Sequence, residues 1–268
     1  MRSTWLKNLV QGAVLLGVPT WVSVWGIGMI PFDKLPLSHF WEVMVFRAVD
    51  VSFCLIFVGL LRPRLFKRFT LRMDLKRLGI VLCLIFGLVG RSVIGAQYAG
   101  HSFLDIFSAV VFTMAIGVNE EIFSRVMIFG FFEQYGVWAA ATISSVHFGA
   151  LHIGNAVWSD QSWGYTIGQA ISAGAFGFMC CGFMLYTGSV WIPILLHGLS
   201  DLPFQFLTNA QYTSTTQASL DFVGLGLDLF VFLSVGGFLI YNSQRRNVML
   251  TGQSISKSGA FPEEVSKI

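Results

Sequence analysis

Apolar residues run along this chain in unbroken blocks of about 17 to 25, parted by short charged or turn-rich segments, the pattern of helices that cross a bilayer. Eight such blocks predict spans over 9–30, 43–61, 78–96, 104–131, 137–154, 164–186, 190–207 and 222–242. None of them alternates apolar with polar positions, as the strands of a membrane barrel would. The expected fold is therefore all-α, a polytopic transmembrane helical bundle. Composition agrees: the chain is 54% hydrophobic and 12% charged, with a mean hydropathy of +0.69. An ordinary soluble domain carries roughly 25% charged residues.

Charge sets an expected orientation. Between the second and third blocks, Arg62, Arg64, Lys67, Arg68, Arg72, Lys76 and Arg77 face only Asp74, which predicts a cytoplasmic loop. Counting outward from it places both termini in the cytoplasm, and Lys7 and Arg245–Arg246 agree. The loops around Asp33, Asp160 and 211–221 are poor in Lys and Arg, as the opposite side requires. No small-residue cleavage pattern follows the first block, so it reads as a retained anchor. One membrane domain over 1–245 is expected, with 246–268 as a disordered cytoplasmic tail. Small size and the lack of an organelle address suggest a prokaryotic plasma membrane. A net charge of +3 gives no footprint for nucleic acid. Cys54, Cys83, Cys180 and Cys181 all lie in apolar blocks and read as small hydrophobes. Gly164, Gly168, Gly174 and Gly177 read as a close-packing face of the sixth span.

Ionisable residues inside such blocks cost about 2.5–3.5 kcal/mol each on insertion scales and mark candidate sites. Three groups stand out. Glu120 and Glu121 precede Arg125 in the fourth block; Glu121 and Arg125 share a helix face, so that pair is expected, with Glu120 turned about 100° away and the two carboxylates unable to face one partner. Phe148 and His152 share a face of the fifth block, with His147 pointing elsewhere. His197 and Asp201 stand one turn apart in the seventh, a spacing that can bind a metal or orient an imidazole. Together these carboxylates and imidazoles are the groups needed to activate water for hydrolysis and stabilise the resulting oxyanion. Arg47 and Asp50, three apart in the second block, read as a local structural pair; Arg91 and Asp228 are further intruders that could pair with each other.

In their order and spacing, these groups resemble the CPBP family of intramembrane proteases, which includes the CAAX prenyl endopeptidases and the bacterial Abi proteins. Its EExxxR motif is matched by Glu120, Glu121 and Arg125, its FxxxH by Phe148 and His152, and its HxxxN/D by His197 and Asp201, within a motif core over about 104–205. The resemblance implies peptide-bond hydrolysis in a cavity open to the membrane: Glu120 as general base, His152 assisting, His197 with residue 201 stabilising the oxyanion. A divalent metal such as zinc, held by Glu120, His152 and His197, is one implied form of the chemistry; a metal-independent glutamate mechanism is the other. Many members carry Asn where Asp201 stands, and Asp can donate to an oxyanion only when protonated, which favours an imidazole-orienting or metal role. The residue before the arginine is often aromatic in the family and is Ser124 here. Straight spans would set Glu120, His152 and His197 at different depths, so a joint site expects tilted or broken helices.

The expected substrate is a membrane peptide or lipidated protein, prenylated ones included, met within the lipid bilayer. The alternative is a non-proteolytic scaffold of the same fold that binds a peptide or regulatory partner. A transporter or proton pathway is a third reading, opposed by the lack of an inverted repeat.

Overall fold

The computed structural model describes residues 39–251 apart from 72, 96–97 and 159–160, together with Val14 and Gly17. All secondary structure among them is helical. In chain order the helices are α1 (His39–Leu61), α2 (Leu75–Ile85), α3 (Phe103–Glu121), α4 (Val137–Leu151), α5 (Trp163–Thr187), α6 (Trp191–Asp201), α7 (Asn209–Thr216) and α8 (Phe222–Thr251). Short 3-10 or π segments continue several of them. The predicted span 9–30 lies outside the described residues, as does the chain beyond Thr251. That helix runs past 246, where the sequence predicts a disordered tail to begin.

Among the described residues, four helical stretches are long and apolar enough to cross a membrane: Met44–Leu61, Phe103–Tyr135, Trp163–Thr187 and Phe222–Arg246. The predicted spans 78–96, 137–154 and 190–207 coincide instead with helices that are shorter or change pitch. The stretch from Phe103 combines α3, a π segment over Ile122–Ile128, one α turn over Phe129–Phe132 and a 3-10 turn over Glu133–Tyr135. Gly136 ends it at φ 103°, a conformation that side-chain-bearing residues rarely adopt. Its 33 residues reach further than the predicted 104–131 and centre on residue 119, so Glu120 sits at mid-helix, not past the midpoint as the shorter span implied.

The chain divides into two compact units. The first holds the chain up to Met127 with Thr187–Thr216, the second Ile128–Tyr186 with the chain from Gln217. In the first, α3 packs on both α1 and α6. Its start is fixed by a capping box: Ser102 Oγ accepts from Asp105 N–H at 3.2 Å while Asp105 accepts from Ser102 N–H at 2.8 Å. Asp74 caps α2, accepting from the Arg77 backbone N–H at 2.8 Å and from Arg77 Nε at 2.6 Å. The Arg77 backbone N–H, followed by its guanidinium, holds the Asp74 carboxyl below its ordinary value. The 3-10 segment Pro63–Phe69 secures the start of α6: Val190 N–H donates to the Arg68 carbonyl and Trp191 Nε1 to that of Phe69, both at 2.8 Å.

In the second unit, helices meet at glycines. A Cβ on Gly174 would lie 3.3 Å from the Ser145 carbonyl, and one on Gly182 only 2.8 Å from that of Gly236. Backbones approach this closely where no side chain intervenes. Gly164 and Gly168 lie against 218–220, so the glycines of α5 serve packing.

Candidate active site

The first and third motifs of the first unit lie on the facing sides of α3 and α6. Gly117 makes the approach possible: a Cβ there would stand 2.8 Å from the Ile194 carbonyl and 3.6 Å from His197 Cβ. Gly198 likewise lies against Met114, whose Cα would be 3.2 Å from an added Cβ. Met114, Gly117 and Glu121 fall on one stripe of α3, and Ile194, His197 and Asp201 on one stripe of α6. The small residues therefore bring Glu121 directly onto His197.

Glu121 and Arg125 are fully inaccessible and lie 2.9 Å apart, Oε2 to Nε. Arg125 Nη2 also donates to Glu121 Oε1 at 3.3 Å. The same Oε1 lies 2.9 Å from His197 Nδ1. An ionised carboxylate only accepts, so Nδ1 is the donor in this contact. That orients the ring and turns Nε2 to the opposite side, 3.5 Å from Asp201 Oδ2 and 3.7 Å from Glu120 Oε2. Glu120 and Asp201 keep side-chain exposures of 25% and 32% against 0% for Glu121. Only the first two can meet water directly.

The expected Glu121–Arg125 pairing and the one-turn reach of His197 to Asp201 are both present. The expectation that Glu120 and Glu121 cannot address one partner is corrected: the two carboxylates do diverge, but the nitrogens of His197 lie on opposite edges of its ring and meet one each. Arg47 and Asp50 also differ from their reading as a local pair. Arg47 Nη1 donates to Asn119 Oδ1 at 2.8 Å and lies 3.8 Å from Glu120 Oε1, while Asn119 Nδ2 donates to Asp50 Oδ2 at 2.5 Å. Asn119 thus ties α1 to the residue just before the acidic pair. Residues 47 and 119 are far apart in sequence, and the signal available was Arg47 and Asp50 on one helix face and an Asn beside two acids within an apolar block.

His152 lies in the second unit. It begins a 3-10 turn at the end of α4, its Nδ1 3.0 Å from the Phe148 carbonyl and its ring 4.9 Å from the Phe148 ring in an edge-on contact. His147 is one turn before Leu151 on the same helix. Asp228 accepts from Ser172 Oγ; the side chain of Arg91, with which the sequence left a pairing open, lies outside the described residues. Each motif coincides with a change of helical pitch: π after Glu121, 3-10 from His152, and 3-10 after Asp201, where Pro203 follows. Such irregularities are frequent at functional positions.

The suggested metal ligands divide between units, Glu120 and His197 in the first and His152 in the second. Among the described residues, no group of three or more His, Cys, Asp and Glu is placed to hold a metal ion, and no step below passes through one.

The described residues thus form an all-helical protein in which two adjacent acids of α3 and one of α6 surround a buried imidazole. Residues 102–203 match the family model of the type II CAAX prenyl endopeptidases, Rce1-like. The match runs from the α3 cap to just past Asp201 and contains all three motifs, so this stretch of the chain is similar to that protease family. Comparison with curated proteins and with solved structures gives no match.

Proposed function

We propose that this protein is an intramembrane endopeptidase that hydrolyses a peptide bond in a membrane-associated or lipidated peptide, prenylated ones included. What supports this most is the posture of His197, held at Nδ1 by the buried Glu121–Arg125 pair with Nε2 turned toward Glu120 and Asp201. A carboxylate that accepts from one imidazole nitrogen fixes the ring's orientation and favours a proton on that nitrogen.

Glu120, accessible and 3.7 Å from Nε2, takes a proton from water as its oxygen attacks the peptide carbonyl carbon. Among the Glu121, Glu120 and Asp201 carboxylates His197 acts as an imidazolium, donating Nδ1–H to Glu121. Its Nε2–H stabilises the oxyanion, and the proton on Glu120 passes to the departing amine as the C–N bond breaks. The 3.7 Å separation exceeds a direct hydrogen bond, so each group keeps valence for water and substrate. Asp201 orients the imidazole from the other side. His152 carries the assisting role that the family resemblance implies.

The setting is a multi-pass bundle of eight spans with both termini cytoplasmic, in a prokaryotic plasma membrane. The basic loop 62–77 and the scarcity of Lys and Arg in the opposite loops support that orientation. Purified protein in proteoliposomes, given a farnesylated quenched peptide and its unprenylated twin, tests the proposal. Wild type should cleave the lipidated peptide, and Glu120→Gln, His152→Ala and His197→Ala should each lose about 10²–10⁴-fold in rate while staying folded. Unchanged cleavage in all three variants would overturn it.

A further inference from the structure

The mechanism uses α3 and α6, yet a second polar network reaches Glu120 from α1, a helix wholly outside the matched residues 102–203. Asn119 sits at its centre. The Asn119 carbonyl oxygen accepts from Arg47 Nη1 at 2.8 Å and its amide nitrogen donates to Asp50 at 2.5 Å, so both ends of the amide are committed and its orientation is set. Asp50 and Asn119 are buried, at 2% and 3% exposure, where an unmatched polar atom would be costly. Arg47 and Asp50 stand three residues apart on α1 and so present one face to Asn119. The result is a clamp that fixes the rotation of α3 one residue before Glu120.

Arg47 does more than close that clamp. The nitrogen that donates to Asn119 also lies 3.8 Å from Glu120 Oε1, while Glu120 Oε2 lies 3.7 Å from His197 Nε2. One guanidinium thus attracts the outer oxygen of the carboxylate and leaves the other toward the imidazole. The two adjacent acids are treated alike in kind and differently in degree: Glu121 has Arg125 at 2.9 Å and no exposure, Glu120 has Arg47 at 3.8 Å and 25%. A tight buried pair locks a carboxylate; a looser cation biases its direction and leaves it able to accept a proton.

We infer that Arg47 is a positioning residue for Glu120, acting through the Asn119–Asp50 clamp, so that α1 belongs to the machinery of the site. This rests on the assignment of Glu120 as the base. Held in line, Glu120 meets the water that attacks; released, it keeps its chemistry and loses its aim. Misplacement by about 1 Å can cost 10²-fold in rate.

Arg47→Gln keeps an N–H donor for Asn119 and removes the cation, and Arg47→Lys keeps the cation on a different geometry. With the farnesylated quenched peptide, Arg47→Gln should lower kcat by about 10²-fold with KM within about twofold, and Arg47→Lys should recover at least a tenth of the wild-type kcat. Asn119→Ala, which cuts the clamp and leaves Arg47 in place, should also lower kcat with little change in KM. A substrate-free arm accompanies this. Thermal midpoints of Arg47→Gln, Glu120→Gln and the double variant should be non-additive by about 2–4 °C. A full wild-type kcat in Arg47→Gln, a loss confined to KM, or additive midpoints would each overturn the inference. If instead Glu120→Gln still cleaves while the midpoints are non-additive, the contact stands and the base assignment falls, so the two failures are distinct.

Discussion

The two units handle polar groups in opposite ways. In the second, neutral hydroxyls and imidazoles meet mostly backbone carbonyls: Ser145 donates to that of Ala141, His152 Nδ1 meets that of Phe148 and, between α5 and α8, Ser243 donates to that of Leu185, while Ser172 donates to Asp228. In the first, full charges meet across helices: Glu121 serves both Arg125 and His197, and Arg47 reaches both Asn119 and Glu120. Backbone-satisfied polar groups hold helices together at little cost. Charges joined across helices are expensive, are tolerated only when partnered, and keep proton-accepting capacity where one partner remains partly exposed.

The contrast is broken most severely at the buried ion pair. Arg125→Met should cost about 3–5 kcal/mol, because it strands the Glu121 carboxylate in an inaccessible site, with His197 losing its anchor as well. Chemical denaturation in detergent, read by near-ultraviolet circular dichroism, checks it. Next comes Gly117→Ala, whose methyl would meet the Ile194 carbonyl at 2.8 Å. It should cost about 1–3 kcal/mol by overpacking and lower activity by lifting His197 from Glu121. The matching change in the other unit, Gly182→Ala against the Gly236 carbonyl, should cost a similar amount of stability and, per folded molecule, leave the rate intact. Equal rate losses in both would erase the distinction between the units.

Ser172→Ala, which removes the hydroxyl from Asp228, should cost only about 0.6–1.7 kcal/mol, the range for hydrogen bonds between membrane helices, again with no rate effect. The smallest effect lies outside the membrane. Asp74 has its carboxyl lowered in the folded chain, so the α2 cap contributes stability above the unfolded value, and that contribution is lost as the pH falls below about 4. The protection factors of the Arg77 and Leu78 amides, which are corrected for the intrinsic pH dependence of exchange, should fall on acidification, and Asp74→Asn should flatten that response.

Much of this was legible in the residues themselves. Block length placed α1, α3, α5 and α8, and i, i+4 spacing foresaw that Glu121 would meet Arg125 and His197 would reach Asp201. Helical periodicity reports only which residues of one helix share a face. The clamp of Arg47 and Asp50 on Asn119 joins two helices, and nothing in either helix names its partner. The same blindness explains the misjudged acids, since divergence by 100° on one helix says nothing about an imidazole that offers a nitrogen on each edge. The changes of pitch at Glu121, His152 and Asp201 were visible only in part. Pro203 announces the third, whereas the π segment after Glu121 has no residue of that kind to mark it.

The most direct test of the claim that Glu120 and His197 carry peptide hydrolysis is a comparison of new peptide termini in membranes from cells making the wild type or Glu120→Gln at matched levels. Termini generated with the wild type and missing with Glu120→Gln are the predicted result, and they would name the substrate class. The same termini at the same yield with both proteins would contradict the account.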